Sequence, residues 1–141
     1  MKIQWLRVLL GGFLIEVVLL VVLLGGFAAA GVDISKGVST GAALIIGVGC
    51  FAATFLIVLW LGRGIQSHVV LHGFLMGLAA TVLYLGLVAG SGQMASALAI
   101  YGPVTFVIVN AARLVGGVCG GIIRTRDNAR SLSRPVNQPI A

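Results

Sequence analysis

Long apolar runs separated by short polar or glycine-rich breaks organise this chain. Four runs, at about 6–30, 38–62, 67–90 and 97–123, each reach the roughly 20 apolar residues that a helix needs to cross a bilayer. The breaks read GVDISKG, GRGIQSH and SGQMAS, with the glycines and polar residues that turns favour. The pattern predicts an all-α membrane protein, a four-transmembrane-helix bundle over residues 1–123. The remainder, RTRDNARSLSRPVNQPIA, is polar and holds two prolines without an apolar period. Its composition predicts a basic, disordered tail over 124–141.

Two details of the pattern carry alternatives. Pro103 is either the first residue of a helix over about 104–123, where proline is tolerated, or a kink in a longer one. The first run, with FAAAG at its end, also has the outline of a cleavable signal peptide with its site at Ala28 to Ala30. It is longer than the usual 7–15 apolar residues and contains Glu16, both of which favour a retained span.

Only 9% of the 141 residues are charged, against roughly 25% in soluble domains, which excludes a water-soluble fold. The formal net charge is +6. The cations stand at the ends of the apolar runs, not in a patch with interleaved aromatics, so nucleic acid is not the expected partner. With alternating spans, Lys2, Arg7, Arg63, Arg124, Arg126, Arg130 and Arg134 share one side, while Lys36, offset by Asp33, takes the other. Lys and Arg concentrate on the cytoplasmic face, so both termini are expected there. Trp5 and Trp60 then mark the inner boundary and Tyr84 and Tyr101 the outer, as an aromatic belt.

Glycine supplies 21 residues. Small residues four apart let helix backbones approach closely in lipid, where no hydrophobic force draws helices together. Gly73 with Gly77, Gly37 with Gly41, and Gly86 with Gly90 have this spacing, and GGVCGG doubles it, with Gly116 over Gly120 and Gly117 over Gly121. With four spans in one chain, packing within one bundle is expected before dimerisation. GGFLIE and HGFLMG share three residues, too few for an internal repeat.

The residues lipid should exclude are the candidates for function. Glu16 costs on the order of 3 kcal/mol at a bilayer centre, which the Leu, Ile, Val and Phe around it offset. Arg113 costs about as much, in a run whose part over 104–123 holds four glycines and Asn110, so the fourth span is near break-even and needs partners. Glu16 lies roughly 13 Å beyond Arg7 and Arg113 roughly 16 Å before Arg124, counted at the helical rise. These matching depths predict an intramembrane cluster of Glu16 and Arg113, with His72 and Asn110 as hydrogen-bonding neighbours.

Other chemistry is sparse. His68 and His72 have the i, i+4 spacing of a metal pair but no third ligand nearby in sequence, so no metal is expected. Cys50 and Cys119 differ in depth and are expected to be free, inert thiols. No catalytic set, phosphate loop or paired carboxylate is present, and neither enzymatic activity nor a cofactor is expected. The arginines of 124–141 suit anionic lipid headgroups. A homo-oligomer or a membrane protein partner remains open.

Two stretches resemble known families. LHGFLMG (Leu71 to Gly77) with LVGGVCGGII (Leu114 to Ile123) resembles the YrzE-like four-span bacterial membrane proteins, which implies a bacterial inner membrane and no particular activity. LGGFLIEV (Leu10 to Val17) is similar to the first span of small multidrug resistance transporters, and that likeness implies a proton-binding role for Glu16. The expectation is therefore a multi-pass membrane protein of structural or accessory character. The alternative is a small proton-coupled transporter using Glu16.

Overall fold

The computed structural model describes residues 3–30, 38–65 and 67–132. The expectations resting on Lys2, Asp33, Lys36, Gly37, Arg134 and residues 133–141 lie outside them. Five α-helices follow one another: α1 (Trp5–Ala30), α2 (Thr40–Leu61), α3 (Val69–Gly90), α4 (Met94–Tyr101) and α5 (Pro103–Leu132). A 3-10 turn, Gly62–Gly64, closes α2.

Local signals set the boundaries. The Gln4 carbonyl accepts the amides of Arg7 and Val8 at 3.0 and 3.1 Å, opening α1. The Ser39 hydroxyl caps α2 by accepting the Ala42 amide at 3.3 Å. Between α4 and α5 the chain turns at Gly102, whose φ of 72° and ψ of 151° suit glycine alone. Pro103 then begins α5, where its missing N–H leaves no helical bond unmade. The proline is thus a helix start and not a kink, and MASALAIY is a separate short helix.

The end of α5 corrects the sequence expectation. Residues 124–132 are helical, not disordered. RTRDNARSL contains no proline or glycine, and Asn128 fastens the extension by donating to the Ile65 carbonyl at 3.4 Å.

The long helices alternate in direction. At one end Arg7 lies against Gly64 and Arg124 against Gly62, while Asn128 reaches Ile65. At the other, the Val38 amide donates to the Ile100 carbonyl at 3.1 Å. Around the bundle the order is α1, α3, α5, α2, with α1 opposite α5 and α2 opposite α3. Ile15, Leu19, Ile46, Cys50, Met76 and Ala80 belong to the core between them.

Glycines stand where α5 approaches both of its neighbours. Gly117 and Gly121 face α3, and a Cβ at Gly121 would stand 2.6 Å from the Val70 Cα. Gly116 and Gly120 face α2, where added Cβ atoms would come within 2.6 and 2.9 Å of the Phe51 and Phe55 carbonyl oxygens. Gly73 and Gly77 supply the α3 side of the first seam. Gly41, Gly86 and Gly90 face open space instead.

Four of these helices are long and apolar enough to cross a membrane: Trp5–Gly25, Gly41–Gly64, Val69–Gly90 and Pro103–Ser131. Only 28–33% of each span's apolar window is buried within the bundle, so most of its Leu, Val and Ile side chains point outward. In water such a surface would far exceed the apolar patch a monomer tolerates. The chain is a multi-pass membrane protein whose helices expose hydrocarbon to lipid.

Candidate functional site

Helical spacing carries the charged residues inward. On α1 the buried positions are Val8, Gly11, Gly12, Ile15, Glu16 and Leu19, recurring every three or four residues on one face. On α5 the corresponding stripe is Val109, Arg113, Gly116, Gly117, Gly120 and Gly121. Each charge therefore sits on its helix's most enclosed face, within the pair of helices that pack least directly.

The two side chains meet across that diagonal. Arg113 Nη2 lies 3.1 Å from Glu16 Oε1, with the side chains 3% and 6% exposed. The same nitrogen donates a long hydrogen bond, 3.4 Å, to Oε2. Neither Glu16 Oε1 nor Arg113 Nε has a hydrogen-bond partner of good geometry. The contact at Oε1 is thus electrostatic attraction without a directed bond. Arg113 Nη1 donates to Asn110 Oδ1 at 2.6 Å, and Asn110 Nδ2 donates in turn to the Phe106 carbonyl at 2.7 Å. Tyr84 of α3 completes the surround, its ring centroid 4.6 Å from the guanidinium carbon. A cation over an aromatic face is attracted by the ring quadrupole, more strongly where water is excluded.

His72 does not join this cluster. Its Nε2 accepts the Gln4 amide at 3.0 Å, and its Nδ1 lies 2.9 Å from the His68 carbonyl. A carbonyl only accepts, so the proton sits on Nδ1 and the ring is committed at both nitrogens. Its level in the bundle is that of the α1 start, one turn from Met76, which packs against Gly11. The histidine pins the beginning of α1 to α3. Among the described residues no three His, Cys, Asp or Glu side chains converge on a metal position. Cys50 and Cys119 are both free thiols.

Two spaces flank the ion pair. A small cavity of about 40 Å³, room for a water molecule, is lined by Cys50, Tyr84, Tyr101, Asn110 and Arg113 among others. A groove of about 440 Å³ is lined by Glu16, Tyr84 and Tyr101 and runs to Ser91, Gln93 and Ser96 at the α3–α4 turn. The two tyrosines border both spaces.

Three contributors escape the sequence reading. Tyr84, assigned by its depth to an interfacial belt, turns instead toward Arg113. Gly11 and Gly12 seat α1 on α3, where an added Cβ at Gly12 would stand 2.7 Å from the Ala79 Cβ. Their signal is the paired glycine one turn before Glu16 in LLGGFLIE.

Comparison with protein-family models, with curated proteins and with solved structures returned no match, so no family is identified for the chain.

Proposed function

We propose that this chain is a structural or accessory protein of a bacterial inner membrane, without enzymatic activity, and that its intramembrane charges hold the bundle together. One observation carries the reading: Arg113 is spent on partners of its own chain. It faces Glu16, Asn110 and the Tyr84 ring, and its side chain is 3% exposed. Intramembrane charges face a bundle interior and pair there, and the best-attested structural use of a buried pair is to fix register. The segment rich in arginine at one end, with Arg63, Arg124, Arg126 and Arg130, supports a cytoplasmic position for both termini. The same arginines suit anionic lipid headgroups.

The groove favours a second reading. Glu16 lines a space that extends to the α3–α4 turn, and its Oε1 accepts no hydrogen bond. A carboxylate so placed can take a proton from that side, which supports a small proton-coupled transporter. The likeness of LGGFLIEV to small multidrug resistance transporters points the same way.

Reconstitution separates the two. Proteoliposomes under an imposed pH gradient should show no protein-dependent proton flux on the first reading. Flux that disappears in Glu16→Gln would overturn it in favour of the transporter.

A further inference from the structure

A second groove, remote from the ion pair, has the form of a lipid site. It measures about 770 Å³ and lies between the start of α3 and the end of α5. Its deeper wall is apolar, formed by Val69, Val70, Leu71, Phe74 and Val118. Its other end is polar, with His68, Thr125 and Asn128. The division follows from the chain's course: α3 enters the apolar zone at Val69, while α5 leaves it near Arg124.

Among the described residues no arginine lines the groove, but cations stand beside its polar end. Arg126, exposed, follows Thr125 on α5. Arg7, Arg63, Arg124 and Arg130 belong to the same end of the bundle, where Asp127 is the one side-chain carboxylate among the described residues. In addition, α3 begins without a side-chain cap: His68 is its N-cap in the left-handed conformation, φ 53°, and bonds none of the first-turn amides through its ring. Those amides carry the positive end of the helix dipole.

We infer that this groove binds one anionic phospholipid, with an acyl chain along Val70, Phe74 and Val118 and the phosphate among His68, Thr125 and Arg126. Charge complementarity selects the occupant, since a zwitterionic lipid would gain the apolar contact but little from the cationic rim. The site rests on membrane embedding alone, independently of either activity reading and of which face is cytoplasmic.

The test uses the full-length protein in detergent, supplied with phosphatidylglycerol or phosphatidylcholine of matched chains, with bound lipid counted by native mass spectrometry. One phosphatidylglycerol should be retained at least about fivefold over phosphatidylcholine, the effect of one arginine near a headgroup. Arg126→Gln and Thr125→Val should each erode that preference. Arg63→Gln, in the Gly62–Gly64 turn and not adjoining Thr125, should leave it intact. Equal retention of the two lipids would overturn the inference, as would equal loss in Arg63→Gln and Arg126→Gln, which would mean diffuse charge only. A two-chain species whose abundance falls in Thr125→Val would also overturn it by giving the groove to a second copy.

Discussion

Gly73 and Gly117 meet backbone to backbone: a Cβ on either residue would fall on the other's carbonyl oxygen. One turn further along α3, Gly77 stands over the Arg113 carbonyl, which a Cβ would approach to 2.7 Å. Glycines therefore stand at the α3–α5 contact beside the backbone of the buried arginine. In lipid, such close backbone approach replaces the hydrophobic drive of a soluble core.

Gly77→Ala should destabilise the bundle by about 1–3 kcal/mol, the usual cost of overpacking a tight contact. Gly86→Ala, with open space around it, should be neutral or stabilising by up to about 1 kcal/mol through helix propensity. Thermal unfolding of both variants in one detergent makes the comparison. Equal losses would mean that the α3–α5 seam is not set by these glycines.

Tyr84 supplies its ring face to Arg113, so the ring should matter more than the hydroxyl. Tyr84→Phe should keep nearly all the stability, whereas Tyr84→Leu should lose about 1–2 kcal/mol, the range for a desolvated cation–π contact. The same unfolding assay reads both. A Phe variant as damaged as the Leu variant would transfer the role to the phenolic oxygen.

Gly102 separates α4 from α5 with a backbone geometry, φ 72° and ψ 151°, that side chains oppose. Gly102→Ala should cost about 1–3 kcal/mol. Pro103→Ala, at a first helical position, should cost well under about 1 kcal/mol. Chemical denaturation of the two variants checks the order, and the reverse order would show that the proline, not the glycine, fixes the break.

The distribution of the arginines makes the topology testable. Reporters fused before Met1 and after Ala141 should both register the cytoplasm, and one inserted after Gly92 should register the opposite side. A C-terminal reporter active only outside the cell would reverse the layout.

How much of this was legible depended on the physical constraint behind each feature. Lipid admits few arrangements, so the four apolar runs marked the spans without reference to packing, and GGVCGG marked α5 as a close-contact helix. Glu16 and Arg113 lie on different helices, yet counting depth from Arg7 and Arg124 sufficed to put them at one level, and their side chains meet there. Depth gives no rotation about the helix axis, however. For that reason depth alone puts Tyr84 at the interface although it turns inward, and puts His72 in a cluster it does not reach. The helical course of 124–132 was hidden because the Asn128 bond that holds it goes to Ile65, 63 residues away. Composition cannot register such a bond.

The charge pair spans the α1–α5 diagonal, and a double-mutant cycle measures what it contributes. Arg113→Leu leaves Glu16 buried without its counter-charge and should cost about 3–5 kcal/mol in thermal or chemical unfolding. Adding Glu16→Gln removes that stranded charge, so the double variant should recover a substantial part of the loss. A double variant no more stable than Arg113→Leu alone would contradict the pairing.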